Sequence, residues 1–390
     1  MHGLIGQQHQ FTYFNLFRMK KLLTAGIALA IITLASANIA RAQLTSLPSG
    51  GNKRASVSEG IGITNVTITY SRPGVKKREG HIWGELISVG YVNQGFGPSK
   101  AAPWRAGANE NTTIEFSTDV KIEGQSLAAG KYGFFIAYDP NECTLIFSKN
   151  STSWGSFFYR PDEDVLRVKV KPVPLDKSVE WLKYEFIDQT PSSAVVALQW
   201  EKLMIPFRID VDVVGTQLAS FRRELRSEKG FSWEAWDQAA QYCAQNKVNL
   251  DEALLWTDTA TSVNFGGDKS FTAWSTKAMV LQAMGKDQES ADVMKKAYPY
   301  GNMNELYFYA RGLTRMKKGQ QALEAFKFAY DKYPNQFLTN AGMARGYSAV
   351  GDYKKALTYA LKAQAQAPDP ANKNIVNTMV KKLQDGQDIN

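Results

Sequence analysis

The stretch KYGFFIAYDPNECTLIFSK, residues 131–149, reads as two apolar strands joined by a short turn. Its central residues, DPNE, form a good turn sequence, and aromatic and β-branched residues fill both flanks. Two such runs separated by a short polar turn are typical of a β-hairpin. The stretch therefore predicts a pair of antiparallel strands.

Strand-like runs continue on both sides of this hairpin. Polar and apolar residues alternate, or apolar residues run together, in GITNVTITYS, NTTIEF, DVKIEG, DVLRVKVK, VEWLKYEFID, SAVVALQW and MIPFRIDVDV. A period of two is typical of a half-buried strand. About nine strands with short turns predict an antiparallel β-sandwich or barrel domain over residues 55–214.

The pattern becomes helical after residue 214. Residues 215–230 predict a linker helix, and residues 231–386 predict four pairs of helices. The last pair has the spacing of a tetratricopeptide repeat at Tyr347, Gly351, Tyr353, Ala356, Ala363 and Pro368. We therefore predict a multidomain chain, all-β and then all-α, in which a tetratricopeptide-like helical solenoid follows the β-domain.

The first 42 residues read as an upstream extension followed by a secretory signal. Lys20 and Lys21 precede an apolar run at 22–35, and Ala40-Arg41-Ala42 has the form of a signal-peptidase site. The run is shorter than the roughly 20 residues of a membrane span. We predict cleavage before Gln43, a linker at 43–54, and an exported protein, periplasmic or extracellular, without a transmembrane anchor. An uncleaved anchor is the alternative.

Charge and cysteine content restrict the possible partners. The net charge of +9 falls to +5 after residue 42, because four basic and no acidic residues precede Gln43. A nucleic-acid surface needs a coherent basic stripe, which is missing, so no nucleic-acid partner is predicted. Cys143 and Cys243 fall in different predicted domains and are interpreted as two buried free thiols.

Few residues are suited to catalysis. His81 is the only histidine after residue 42, which disfavours a Ser-His-Asp triad and a histidine-based zinc site. No glycine-rich nucleotide loop is present, and we predict no catalytic residues, cofactor or metal. A carbohydrate-active hydrolase that pairs Glu110 with another carboxylate, such as Asp164, is the alternative.

The candidate ligand site centres on PWRAGANENTTIEF, residues 103–116. One interpretation is a structural corner, in which Arg105 pairs with Glu110 and Arg72 lies nearby. The other is a site for a polar ligand or glycan. Exposed aromatic residues of TSWGSFFYR (152–160) would then offer a stacking surface. The candidate ligand-binding residues are Arg72, Trp104, Arg105, Asn109, Glu110 and Trp154.

Three segments resemble a family of exported bacterial proteins, common among Bacteroidetes and known only as domain of unknown function 2911. They are TITYSRPGVKKREGHIWGEL (67–86), PWRAGANENTTIEFSTDVKIEGQSLAAGKYGFF (103–135) and SWGSFFYRPDEDVLRVKVKP (153–172). The resemblance covers about residues 50–212 and implies a secreted or periplasmic β-domain, with no known reaction. The segment ISVGYVNQGFGPSKAAP (87–103) is longer than the corresponding family loop.

These observations favour a binding or assembly protein over an enzyme. A β-domain joined to a repeat array, with few catalytic groups, predicts an exported protein of the bacterial cell envelope. Helical repeats present an extended concave surface, so the expected partner is a protein or peptide bound by the repeats.

Overall fold

The computed structural model describes residues 51–390. The predicted extension and signal peptide at 1–42, and residues 43–50 of the predicted linker, lie outside the described residues. Within residues 51–390, the N-terminal part contains ten strands: β1 (Lys53–Ile61), β2 (Thr64–Arg72), β3 (Thr112–Phe116), β4 (Val120–Ile122), β5 (Gln125–Leu127), β6 (Gly130–Ala137), β7 (Cys143–Ser148), β8 (Asp164–Val170), β9 (Val173–Thr190) and β10 (Ser193–Asp210).

The strands form two antiparallel sheets around one core. The first sheet has the order β1-β2-β3-β6-β7-β8, and the second has the order β5-β4-β10-β9. The two sheets share a cluster of buried apolar side chains, in which the rings of Phe134 and Phe207 lie 5.5 Å apart. The predicted antiparallel β-domain is confirmed, and its sheets remain two separate layers rather than a closed barrel.

The hairpin predicted at residues 131–149 is formed by β6 and β7. Their register pairs Phe134 with Phe147, as the apolar flanks require. In the turn, Asp139 Oδ1 accepts the backbone N–H groups of Asn141 and Glu142 at 2.8 and 3.2 Å. An aspartate that binds the backbone two residues on explains why this sequence turns where it does.

Strand β10 corrects one prediction, since SAVVALQW (193–200) and the first seven residues of MIPFRIDVDV (204–210) belong to a single strand. Glu201, which lies between the two runs, is at a β-bulge with φ of +53°, and the register with β9 shifts on both sides of it. The Glu201 carboxylate accepts the backbone N–H groups of Gly80 and Lys202 at 3.1 and 2.8 Å. The bulge is therefore held against the loop that follows β2.

That loop, residues 73–111, joins β2 to β3 of the first sheet and contacts both sheets. Trp104 and Ile136 exchange backbone hydrogen bonds of 2.9 and 2.8 Å, so the loop continues the first sheet beside β6. Nearer its start, Val75 donates its backbone N–H to the Glu180 carbonyl of β9 at 2.8 Å. The loop is thus fixed to both sheets and forms one wall of the cleft described below.

The C-terminal part, residues 213–384, is helical. Within the described residues, ten α-helices occur: α1 (Val213–Glu224), α2 (Trp233–Asn246), α3 (Leu250–Ala260), α4 (Phe271–Ala283), α5 (Asp287–Ala297), α6 (Met303–Arg315), α7 (Gly319–Lys332), α8 (Phe337–Ala349), α9 (Tyr353–Ala365) and α10 (Pro370–Gln384). In residues 51–390, every helix lacks the length and apolar character needed to cross a membrane.

The helices pack as successive antiparallel pairs. Helix α2 packs on α3, α4 on α5, α6 on α7, and α8 on α9, while α10 covers the last pair. Small residues let the helices approach closely, and Ala356, Ala360 and Ala363 of α9 are fully buried. This arrangement confirms the predicted solenoid of four helix pairs.

Both cysteines are buried free thiols, as predicted. Cys143 begins β7 and Cys243 lies in α2, each in the core of its own domain. Desolvation by burial raises the pKa of both thiols, which keeps them in the protonated form.

Asp237 of α2 provides a prediction on pH. It is buried, and its Oδ1 atom has no hydrogen-bond partner within the described part of the chain. Burial raises the pKa of Asp237, and the charge of Glu234 adds to this, while the Thr276 hydroxyl acts in the opposite direction. The folded state therefore holds the Asp237 proton more tightly than the unfolded state, so this group favours folding at low pH and opposes it as pH rises through the raised pKa.

We expect Asp237→Asn to raise the free energy of unfolding at pH 7 by about 1 kcal/mol, because the amide stays neutral. The gain should shrink as the pH falls towards about 4, near the pKa of an unfolded aspartate. Urea unfolding at several pH values measures this. Asp292→Asn, at an exposed position of α5, is the control and should show no such pH dependence. A gain that does not change with pH would contradict the prediction.

Candidate functional site

A cleft of about 690 Å³ lies in the β-domain between the 73–111 loop and the second sheet. Most of its lining comes from the loop, with Trp200 from β10 and Asn52 from the residue before β1. Its size falls within the range of roughly 300–1,000 Å³ that is usual for small-molecule sites. The cleft is therefore large enough to hold a ligand of about two sugar rings.

Arg105 contributes a guanidinium group to this cleft. Its Nη1 atom donates a hydrogen bond of 2.8 Å to the Asn109 carbonyl, and its Cζ atom lies 5.4 Å from the centre of the Phe157 ring. Gly155 lies so close that a Cβ atom there would be 2.7 Å from Nη1. Desolvation lowers the pKa of Arg105. The guanidinium is thus fixed in position and partly removed from water.

Two further cations line the cleft, Lys76 and Arg78. Arg78 donates through Nε to the Val75 carbonyl at 3.0 Å and through Nη2 to the Gly74 carbonyl at 2.9 Å. Among residues 51–390, no acidic residue lines the cleft, and none of its three cations forms an ion pair. The cleft therefore carries positive charge that the described residues do not neutralise.

Tryptophans form the floor of the cleft. Trp104 and Trp200 stack with ring centres 6.1 Å apart, and Trp83 contacts them edge-on at 5.6 and 5.9 Å. Trp104 Nε1 donates to the Gly107 carbonyl at 3.1 Å. In the described structure, Trp200 Nε1 and Gln94 Oε1, both on lining residues, have no hydrogen-bond partner. The floor is thus built mainly of indole rings, and these two unpaired polar atoms are buried.

Three of the six candidate ligand-binding residues come together in this cleft: Trp104, Arg105 and Asn109. The other three are not part of its lining. Arg72 donates through Nε to the Leu182 carbonyl at 2.8 Å. Glu110 is exposed and accepts a hydrogen bond of 3.3 Å from the Ser71 hydroxyl, and Trp154 is 55% exposed on the outer surface.

The predicted ion pair between Arg105 and Glu110 is wrong. The structure of residues 51–390 has no contact of 4.0 Å or less between their charged groups, and the strongest contact of Arg105 is to a backbone carbonyl. The reason lies in the intervening turn, where Ala106 and Asn109 both have positive φ, of 51° and 59°. This turn separates Arg105, which packs against residues 155–157, from Glu110, which lies beside Ser71.

The helical repeats contain a second, smaller pocket. It measures about 220 Å³ and is lined by residues of α4, α5, α6 and α7. Three of its apolar side chains are exposed to solvent: Met279, Phe308 and Met316. Its two charged residues, Asp287 and Lys318, form an ion pair of 2.7 Å, so the pocket presents little net charge. We call it the repeat groove.

Comparison with known families agrees with the motif around the cleft. Residues 52–209 match the family described as "Protein of unknown function (DUF2911)". This confirms the resemblance of the β-domain, whereas its link to Bacteroidetes stays a prediction. A comparison with curated proteins found no match.

Several solved structures of repeat proteins are similar to the chain. YrrB, "a TPR protein with an unusual peptide-binding site", shares 17% identity over 43% of this chain and 89% of its own, with a TM-score of 0.28. A putative kinesin light chain of Podosopora anserina shares 14% over 39% and 85%, with a TM-score of 0.28. The MamA protein shares 14% over 40% and 86%, with a TM-score of 0.29. The solenoid is assigned here from the helix pairs of the chain itself.

The acids suggested for a hydrolase lie outside the cleft of the β-domain. Asp164 accepts hydrogen bonds of 2.7 Å from both Tyr159 and Arg167, and neither it nor Glu110 lines the cleft. His81 is exposed and lies 3.0 Å from Glu85. The described residues contain no cluster of three or more His, Cys, Asp or Glu side chains that could hold a metal. Neither these acids nor His81 contributes to the lining of the cleft.

Sequence reasoning missed Lys76, Arg78, Gln94 and Trp200 as residues of the cleft. Lys76 and Arg78 belong to the short basic run Lys76-Lys77-Arg78, which was not among the candidate residues. Gln94 belongs to residues 87–103, the segment that is longer than the corresponding family loop. The extra length is a sequence signal for additional residues at the site. Trp200 is the last residue of the strand-like run SAVVALQW. The sequence around it does not indicate that the 73–111 loop packs on its side chain.

Proposed function

We propose that this protein is an exported binding or assembly protein of the bacterial cell envelope, whose helical repeats hold a partner protein through an apolar segment. The observation that carries this proposal is the repeat groove, in which Met279, Phe308 and Met316 stay exposed between two helix pairs. Exposed methionine and aromatic side chains that share a concavity are typical of surfaces that accept varied peptides.

The chemistry of the groove specifies its occupant. The ion pair between Asp287 and Lys318 uses both charged groups, so specificity must come from apolar contact. A pocket of about 220 Å³ accommodates about one large apolar side chain. We therefore expect a partner segment that inserts a single leucine, methionine or phenylalanine and extends along the neighbouring helices.

Export is the second part of the proposal, and residues 19–42 support it. Their two lysines, apolar run and Ala-Arg-Ala site follow the order of a secretory signal. Mass spectrometry of the N-terminal peptide of the protein purified from its native cells, together with cell fractionation, tests this directly. A chain that begins at Gln43 in the periplasm or medium supports export. A cytoplasmic chain that retains residues 19–42 overturns it.

The partner is tested by photo-crosslinking in cells. A benzophenone amino acid is placed at Phe308 in the groove or, as a matched control, at Leu255 of α3. The two side chains are similarly exposed, at 61% and 64%, and both lie on helices of the repeats. We expect defined adducts from position 308 and none from position 255, because only position 308 lines the groove.

A second substitution, at another residue of the groove, tests whether the adducts depend on the groove. Met316→Asp places a charge at the groove without touching position 308, and it should abolish the adducts. Equal adducts from both positions, or adducts that survive Met316→Asp, would show that the groove does not select the partner. The absence of adducts at position 308 in growing cells would refute the proposed binding role of the groove.

A further inference from the structure

We propose that the β-domain cleft binds an acidic sugar, with the sugar carboxylate placed among Arg105, Lys76 and Arg78. This site is separate from the repeat groove, so the inference stands or falls independently of the function proposed above.

The charge of the cleft is the first step. Three cations line it and no carboxylate of the described residues does, although neighbouring acids are present. Those acids are engaged elsewhere: Glu180 accepts the backbone N–H of Lys76 at 3.0 Å, and Glu79 pairs with Lys202 at 2.7 Å. Residues 1–50 contain no Asp or Glu. Residues 1–50 therefore have no side-chain carboxylate that could neutralise the cleft.

The position of Arg105 is the second step. A guanidinium has five N–H donors in a planar fork, and among residues 51–390 the Arg105 side chain donates to one acceptor, the Asn109 carbonyl. Phe157 and Gly155 fix the group from the sides. A fixed, partly desolvated fork with free donors matches a carboxylate, which accepts two parallel hydrogen bonds.

The uncharged lining residues indicate the chemistry of the ligand apart from its carboxylate. The side-chain amides of Gln94, Asn109 and Asn52 line the cleft together with the half-buried Trp104 ring, whereas Trp200 is only 1% exposed and offers little accessible surface. Amides bind hydroxyl groups in both directions, and an indole packs against the apolar face of a pyranose ring. Asn52 Nδ2 donates to Asn109 Oδ1 at 3.4 Å, and Asn109 Nδ2 donates to the Asn52 carbonyl at 3.5 Å. These contacts are long, so the amides keep donor and acceptor capacity that a hydroxyl-rich ring can use and an aromatic carboxylate cannot. This combination favours an acidic sugar over other organic acids.

The test is isothermal titration calorimetry of the full chain at constant ionic strength. The probes are digalacturonate, its neutral counterpart galactobiose, benzoate and inorganic phosphate. We expect saturable binding of digalacturonate with a Kd below about 10 mM. Each of the other three probes should bind at least about tenfold more weakly. No saturation with digalacturonate, equal binding of galactobiose, or tighter binding of benzoate or phosphate would each overturn the assignment.

Variants locate the site. Arg105→Gln and Lys76→Gln should each weaken digalacturonate binding about tenfold or more. Lys171→Gln removes the same charge from an exposed position outside the cleft and should leave binding unchanged. If Arg105→Gln fails to fold by circular dichroism, Lys76→Gln decides, because Lys76 is exposed and contributes no core packing. An equal loss in Lys171→Gln would show attraction by net charge alone and would refute the site.

Discussion

Replacing Trp200 with alanine is expected to lower the free energy of unfolding of the β-domain by about 3–5 kcal/mol, the usual cost of truncating a buried tryptophan. Trp200 is only 1% exposed, and it packs against both Trp83 and Trp104. Its removal leaves a cavity beneath the cleft that the rigid sheet cannot fill. The loss should therefore combine the transfer term of the indole with a cavity term.

Hydrogen exchange of the full chain, followed on peptides from β6 and β10, measures the loss within the β-domain alone. Trp154→Ala is the matched control, because it deletes the same side chain at a position that is 55% exposed. We expect Trp154→Ala to change protection by less than about 1 kcal/mol. Similar losses in the two variants would show that Trp200 does not support the core as described.

Trp200 also connects stability to binding. The residue belongs to the shared core and to the lining of the cleft at once. The cleft thus lies where the loop and the second sheet do not pack fully together. Changing Trp200 at its floor therefore also lowers the stability of the β-domain. Lys76 lies on the exposed rim, so binding can be tested there without changing the core.

Local patterns in the sequence predicted the elements well. Alternating residues located β2, β3 and β8, and the DPNE turn located the β6–β7 hairpin, because burial on one face imposes a period of two. Small residues at repeat spacing located the helix pairs for a similar reason. The exceptions are β1 and β5, which have few apolar residues, and β10, where a bulge divides the strand into two apolar runs.

The cleft was harder to predict because its residues are distant in sequence. Arg105 and Trp200 meet only through the arrangement of the 73–111 loop on both sheets, which no local pattern encodes. The predicted pair of Arg105 and Glu110 failed for the opposite reason. The two residues are close in sequence, but positive φ angles at Ala106 and Asn109 turn the chain between them. The local sequence therefore identified three lining residues of the cleft, Trp104, Arg105 and Asn109. It also predicted an ion pair between Arg105 and Glu110 that does not form.

At Gly133 of β6, the backbone of the first sheet packs very closely against the segment after β7. Gly133 lies between its partners Thr113 of β3 and Ser148 of β7. A Cβ atom at this position would be 2.1 Å from the Asn150 carbonyl oxygen and 2.7 Å from Asn111 Nδ2. Asn111 donates to that same carbonyl at 3.0 Å, so the crowding atoms belong to a hydrogen bond that joins the start of β3 to the turn beyond β7.

We expect Gly133→Ala to lower the free energy of unfolding of the β-domain by about 3 kcal/mol or more, because a backbone carbonyl must move and its hydrogen bond from Asn111 is lost. Gly60→Ala is the control: Gly60 also lies in a strand, β1, but no atom lies within 4 Å of its Cβ position. That variant should be neutral or slightly stabilising, since alanine has less conformational freedom to lose on folding. Urea unfolding of both variants decides, and equal stability of the two would disprove the close approach at Gly133.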